Sequence, residues 1–197
     1  RTWLLRVIRP DRPVEYWLHY HKLQPHFRVD PVNVENYSEI VPPSVYATLA
    51  TKDGFEIPYY LAAPKKRVCD VSQRSCPLAV LIHGGPTRRD RIAYDADAAW
   101  LQSRGFWVVR INYRGSSGYG LRFRRAGDRQ WGAAMIDDVN AVVRSVSADS
   151  RIDSRRISAI GSSYGGFAAL ASGTRAPDLY RCAISINGGG DLVQMAQ

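Results

Sequence analysis

Short apolar runs rich in β-forming residues alternate with turn signals in the first part of the chain. Lys52-Asp53-Gly54 separates two such runs, and an Asp-Gly step in that position is a strong signal for a β-hairpin. A Pro-rich turn cluster separates an earlier pair. We therefore predict two hairpins, whose strands are residues 3–8 and 14–20, and residues 45–50 and 55–61. Residues 21–44 are irregular and dotted with proline, which predicts a linker that ends at Pro42-Pro43.

From residue 77 onward, strand-like and helix-like patterns alternate. A continuous apolar run is typical of a buried strand, whereas apolar residues at intervals of three and four are typical of a helix. The predicted strands are residues 78–83, 106–113, 156–160 and 182–186, and the predicted helices are residues 94–104, 133–148 and 167–172. Alternation at this rhythm predicts an α/β fold, with a parallel, doubly wound sheet that carries helices on both faces.

The basic composition does not by itself indicate a nucleic-acid partner. Lysine and arginine outnumber aspartate and glutamate by 27 to 18, a net charge of +9. The arginines are scattered and no nucleic-acid-binding motif accompanies them, so we interpret them as solvated surface. No apolar run approaches the length of a transmembrane helix, and we expect neither a nucleic acid nor a membrane as partner. The oligomeric state is not predicted.

A glycine-rich segment at residues 115–120, GSSGYG, looks superficially like a dinucleotide-binding loop. It follows Asn-Tyr-Arg and opens no helix directly, so we expect no cofactor. Nor do we expect a metal ion, because the chemistry described below needs none.

The three cysteines leave the cellular compartment open between cytoplasm and periplasm or secretion. Cys69 and Cys76 are spaced to close a small loop disulfide in an oxidising compartment. The odd count fits reduced, buried thiols at least as well, with Cys182 in an apolar run.

Residues 161–166, GSSYGG, carry the strongest chemical signal in the chain. They directly follow a predicted strand and precede a helix, and they match G-x-S-x-G with Ser163 at the centre. In that motif a serine occupies a sharp strand-to-helix turn, which exposes its Oγ. We predict Ser163 as the catalytic nucleophile in preference to Ser162, because only Ser163 has glycines two residues before and two residues after it. The alternative is a Gly/Ser-rich turn without catalysis.

The residues around this serine suit such a turn. Gly161 and Gly165 leave room where a Cβ would collide with neighbouring backbone, and Gly166 lets the helix pack close to the strands. A helix N-terminus presents unpaired N–H groups and a partial positive charge. We therefore predict that the N–H of Tyr164 points to where an oxyanion would form.

The second candidate oxyanion donor is the N–H of Gly85. His83-Gly84-Gly85-Pro86 ends the predicted strand 78–83, and hydrolases with a serine elbow often take a second donor from an HGG-type loop at that place. A tight turn without function is the alternative. We interpret His83 as a structural, hydrogen-bonded residue rather than the general base, because it precedes the serine in the chain.

Taken together, these motifs resemble the prolyl oligopeptidase family of serine peptidases, and the nearest branch looks like the acylaminoacyl-peptidase and dipeptidyl-aminopeptidase type. The resemblance covers roughly residues 45–197. Its segments are HGGP at 83–86, Arg104-Gly105-Phe106, NYRGSSGYG at 112–120, GDRQWG at 127–132 with Asp137-Asp138 following, GSSYGG at 161–166, and Pro177-Asp178-Leu179-Tyr180 with Cys182.

The resemblance implies an α/β-hydrolase catalytic domain behind a β-propeller that restricts entry to small peptides. Residues 1–44 are then a β-hairpin and linker at the end of the propeller, and residues 45–197 are the N-terminal part of the hydrolase domain. The family's catalytic Asp and His lie further downstream, so we expect this chain to be a fragment, truncated at the C-terminus, that lacks both. Asp178 and Asp191, the acids after Ser163, are interpreted as structural.

The function predicted from the sequence is a serine-type peptidase that cleaves short peptides through an acyl-enzyme on Ser163, with the fragment alone inactive. Two alternatives remain open. One is a carboxylesterase-like hydrolase with the same elbow. The other is a non-catalytic, hydrolase-like scaffold that binds partners.

Overall fold

The first part of the chain forms a three-stranded antiparallel sheet. The computed structural model describes residues 2–10, 12–20, 23–29 and 42–190. Strands β1 (Thr2–Val7) and β2 (Glu15–Tyr20) pair as the predicted hairpin, and β3 (Leu23–Arg28) pairs with the other side of β2. The linker predicted for residues 21–44 is therefore wrong for 23–28. Pro25 is compatible with β3 because β3 lies at the sheet edge, where a proline need not donate a ladder hydrogen bond.

A six-stranded mixed sheet forms the centre of the rest of the chain. Its strands are β4 (Val45–Ala50), β5 (Glu56–Ala62), β6 (Cys76–Ile82), β7 (Trp107–Ile111), β8 (Ile152–Ser162) and β9 (Cys182–Ile186). Their order is β4-β5-β7-β6-β8-β9, in which the last four strands run parallel. The predicted second hairpin, β4–β5, is confirmed, and it extends the sheet antiparallel to β7.

Helices cover both faces of this sheet, as predicted. They are α1 (Ala96–Ser103), α2 (Gly120–Arg125), α3 (Ala134–Val146) and α4 (Tyr164–Arg175). Helix α1 packs on one face around Ala98 and Leu101, and α3 and α4 pack on the other around a larger core that includes Ile136 and Val139. None of the helices in the described ranges is long and apolar enough to cross a bilayer.

Two sequence predictions about local structure need correction. GSSGYG was expected to open no helix, but the short helix α2 begins at its last glycine, Gly120. The alternative of reduced, buried thiols is wrong for Cys182, because this residue is exposed at the start of β9, the last strand in the sheet order. Of the two alternatives for Cys69 and Cys76, the structure contains the disulfide, which ties the loop before β6 to the first residue of that strand.

Candidate active site

Ser163 occupies a strained turn between strand β8 and helix α4. Its backbone has φ 57° and ψ −124°, a left-handed conformation that residues other than glycine rarely adopt. Its N–H donates to the carbonyl of Ile186 at 2.9 Å, and its own carbonyl accepts from the N–H of Gly166 at 2.9 Å. These bonds fix the turn on both sides and leave Ser163 exposed above the carboxyl ends of the parallel strands.

Three glycines make this turn sterically possible. A Cβ on Gly161 would collide with the carbonyl of Gly165, and a Cβ on Gly165 would collide with the carbonyl of Ile82 at the end of β6. A Cβ on Gly166 would lie only 2.6 Å from the Ser185 Oγ on β9. The elbow therefore sits against the ends of β6 and β9 with no room for side chains at these positions.

The loop after β6 passes directly beside the elbow. A Cβ on Gly84 would lie 2.9 Å from the carbonyl oxygen of Ser162 and 3.4 Å from the Cβ of Ser163. Gly85 has φ 121°, and a Cβ there would press against the backbone nitrogens of Thr87 and Arg88. Within the described residues, neither the N–H of Gly85 nor that of Tyr164 has a hydrogen-bond acceptor. Both predicted donors are thus uncommitted main-chain groups on segments next to Ser163.

His83 is hydrogen-bonded, as predicted. Its Nδ1 lies 3.0 Å from the carbonyl oxygen of Gly84 and its Nε2 lies 3.0 Å from the Oγ of Ser116. The ring stacks on Tyr113 with the ring centroids 4.4 Å apart. Burial lowers the pKa of His83 to about 4, with the positive charge of Arg88 acting in the same direction and the hydrogen bond to Gly84 opposing it. The imidazole is therefore neutral at neutral pH.

The side chain of Tyr164 anchors the start of α4. Its hydroxyl donates to the carbonyl of Trp131 at 2.7 Å, and its ring contacts Trp131, Tyr113 and Phe167 at centroid distances of 5.6, 5.7 and 5.8 Å. Burial raises the pKa of this hydroxyl, so it remains a donor. The residue next to Ser163 is consequently fixed by its own side chain.

Arg114 links its own segment to helix α3 and to the β4–β5 turn, which the sequence alone did not predict. Its guanidinium donates to both carboxylate oxygens of Asp138 on α3, with Nε···Oδ2 at 2.8 Å, and its backbone N–H donates to the same carboxylate at 2.9 Å. It also donates to Asp53 in the β4–β5 turn at 2.6 Å and lies over the ring of Phe55. The hydrogen bond from Arg114, followed by that from Thr51, lowers the pKa of Asp53 to about 2.

No acid–histidine pair meets Ser163 in the described part of the chain. Asp178 forms an exposed ion pair with Arg144 at 3.1 Å, which agrees with its interpretation as structural. Asp191 lies outside the described residues. Within the residues 42–190, no hydrogen bond joins the hydroxyl of Ser163 to a histidine.

Comparison with known proteins decides the family. The model of the prolyl oligopeptidase family matches residues 92–197, more than half of the chain. The chain belongs to the prolyl oligopeptidase family. It is 27% identical over 195 residues to dipeptidyl aminopeptidase BIII of Pseudoxanthomonas mexicana, an alignment that covers 98% of this chain and 28% of that protein.

Solved structures of this family share the fold. A puromycin-hydrolyzing peptidase of Mycobacterium tuberculosis superposes with a TM-score of 0.86 at 27% identity, over 99% of this chain and 30% of the other. Acylaminoacyl peptidase of Pyrococcus horikoshii has a TM-score of 0.77 at 22% identity, over 94% and 29% of the two chains. The fold is thus that of the family's α/β-hydrolase domain with preceding strands. The chain spans less than a third of the length of these relatives.

Proposed function

We propose that this chain supplies the nucleophile and the oxyanion hole of a serine peptidase that acts on short peptides. The observation that carries the proposal is the backbone of Ser163, held at φ 57° between β8 and α4 beside two uncommitted N–H groups. A serine is rarely kept in such a conformation without a functional reason, since the strain is offset by surrounding structure. Membership of the prolyl oligopeptidase family supports peptides as the substrates.

The mechanism is acyl transfer. The Oγ of Ser163 attacks the scissile carbonyl and loses its proton to a general base, while the N–H groups of Gly85 and Tyr164 stabilise the oxyanion. The amine leaves with a proton from the same base, and water then hydrolyses the acyl-enzyme. Because His83 is held by Ser116 and Gly84, the base and its acid partner are proposed to come from a segment beyond this chain. Without that segment the chain is expected to be inactive, since a serine hydroxyl alone is a weak nucleophile.

We propose that each of the two sheets belongs to a different domain. The antiparallel sheet β1–β3 is proposed to belong to the end of a β-propeller, and residues 45–197 to the hydrolase domain. The separate pairing of the sheets supports this division, because no strand of one pairs with a strand of the other among the described residues. The names of relatives, dipeptidyl aminopeptidase and puromycin-hydrolyzing peptidase, support small substrates.

The test compares two adjacent serines in the gene product that contains this chain. Ser163→Ala should reduce the hydrolysis of dipeptidyl aminomethylcoumarin amides by at least about a thousandfold, because nucleophile and base act as a unit. Ser162→Ala is the matched control, since Ser162 is also exposed and should lose less than about threefold. Parallel assays with p-nitrophenyl esters separate a peptidase from an esterase. Wild-type amide hydrolysis by Ser163→Ala would contradict the proposal.

A further inference from the structure

The loop that carries Gly85 rests on one neighbouring segment. We name residues 83–90 the donor loop and residues 112–117 the cradle segment. The side-chain amide of Asn112 exchanges hydrogen bonds with the backbone N–H and C=O of Asp90, at 2.8 and 3.2 Å. The N–H of Ser117 donates to the carbonyl of Thr87 at 3.2 Å. The cradle segment therefore contacts the donor loop at its middle and its end.

Tyr113 contacts the beginning of the donor loop. It is fully buried, and its hydroxyl donates to the backbone carbonyl of His83 at 2.7 Å. Its ring stacks on the His83 imidazole with an interplanar angle of 20°. This carbonyl belongs to the peptide that leads into Gly84, one residue before the candidate donor Gly85. A shift of the His83 carbonyl would thus move the N–H of Gly85.

The Tyr113 ring also contacts the side chain of Tyr164, the residue that carries the second candidate oxyanion donor. The Tyr113 and Tyr164 rings lie 5.7 Å apart at an angle of 52°. One buried side chain therefore touches the residues that set both candidate oxyanion donors. The cradle segment is itself anchored from below, because Asp138 accepts from both the main chain and the side chain of Arg114.

We propose that Tyr113 is a positioning residue that sets the separation of the Gly85 and Tyr164 N–H groups. This inference rests on the proposed function. Oxyanion donors act over a narrow range of about 2.7–3.1 Å, so a displacement of a few tenths of an ångström weakens the stabilisation of the transition state. Tyr113 is fully buried, so we expect it to make no contact with a bound substrate. Its effect should consequently fall on kcat and not on KM.

The test removes one hydroxyl at a time. Tyr113→Phe keeps the ring and should lower kcat for a dipeptidyl coumarin amide about tenfold, with KM changed less than twofold. Tyr180→Phe is the matched control, because the Tyr180 hydroxyl makes a comparable 2.8 Å hydrogen bond to Asn140 and does not contact the donor loop. The control should lose a similar amount of stability but keep its kcat.

Binding of a transition-state analogue distinguishes a positioning role of Tyr113 from a purely structural one. A dipeptide aldehyde, which forms a tetrahedral adduct, should bind Tyr113→Phe weaker by the same factor as the loss of kcat/KM. The corresponding dipeptide product should bind unchanged. If Tyr113→Phe does not fold, Ser116→Ala is the second variant, because the Ser116 hydroxyl donates to the carbonyl of Tyr113 at 2.7 Å and lies 3.0 Å from the Nε2 of His83. It removes support from Tyr113 and from the start of the donor loop, and it should show the same division between the two ligands.

The outcomes separate this inference from the proposed function. Wild-type kcat in Tyr113→Phe, or equal weakening of aldehyde and product, would overturn the positioning role while Ser163→Ala remained inactive. Activity retained by Ser163→Ala would instead overturn the proposed function and this inference together. A selective loss of aldehyde binding, absent in Tyr180→Phe, would support both.

Discussion

Replacing Asp90 by asparagine should stabilise the protein at neutral pH. Asp90 lies in the donor loop, and its Oδ2 is buried without a hydrogen-bond partner among the described residues. The nearby Arg110 already pairs with Asp95 at 3.6 Å and donates to the carbonyl of Arg91. Burial therefore raises the pKa of Asp90 from 3.8 to about 6, with Arg110 opposing and Asp95 adding to the rise.

This shift sets the size and the sign of the effect. A pKa raised in the folded state means that the folded protein holds the proton more tightly, so stability is lost as the pH rises through about 6. Two pKa units at about 1.4 kcal/mol each give a cost of about 3 kcal/mol above pH 7. An asparagine avoids this cost, but its amide adds a buried donor without a partner, which destabilises the folded state by about 1 kcal/mol. The expected net effect is a gain of about 2 kcal/mol at pH 7.5 and a loss of roughly 0.5 kcal/mol at pH 4, where Asp90 is protonated in the folded state and only partly ionised in the unfolded state, so that little ionisation cost remains.

Urea unfolding at both pH values measures this gain. Asp97→Asn is the control, because Asp97 lines the same cleft but is exposed in the first turn of α1, where a negative charge is favourable. It should be slightly less stable than wild type at pH 7.5. A loss of stability in Asp90→Asn at pH 7.5, or a gain of the same size at pH 4, would refute the reasoning.

Further predictions concern two cross-links between elements. Removing the Cys69–Cys76 disulfide by serine substitution should lower the unfolding free energy by about 2.5 kcal/mol, because it frees a loop with a sequence separation of 7. In urea unfolding, a reductant should lower the unfolding free energy of the wild type but not that of the variant. Asp138→Asn should cost about 3–5 kcal/mol, since it leaves the buried Arg114 without its bidentate partner. Asp53→Asn breaks an exposed pair with the same arginine and should cost at most about 1 kcal/mol by the same assay. Equal losses in these two variants would contradict the assignment of Asp138 as the principal anchor.

Much of the fold followed from local pattern. The alternation after residue 77 predicted four strands and three helices at their observed places, because buried parallel strands are continuous apolar runs. Residues 23–28 were missed because Pro25 indicates irregular structure, and only the pairing with β2 makes an edge strand of them. Helix α2 was missed because six residues without a capping side chain carry little periodic signal.

Some features of the candidate site could likewise be predicted from the sequence, and others could not. The glycines around Ser163 predict a tight turn, because glycine is the residue type that allows the backbone to approach this closely. The contacts of the cradle segment with the donor loop and the pairing of Arg114 with Asp138 are not visible in the sequence, because they join residues 22 to 33 positions apart through tertiary packing. The pKa of His83 likewise depends on burial against Tyr113, which no local pattern encodes.

The most direct test of the central proposal is to map the covalent adduct of a fluorophosphonate on the gene product that contains this chain. Tryptic cleavage should release residues 157–175, which include Ser158, Ser162, Ser163 and Ser172. Fragment ions from tandem mass spectrometry should place a single adduct on Ser163, with labelling abolished in Ser163→Ala and kept in Ser162→Ala. An adduct on another serine, or labelling that survives Ser163→Ala, would contradict the assignment of Ser163 as the nucleophile.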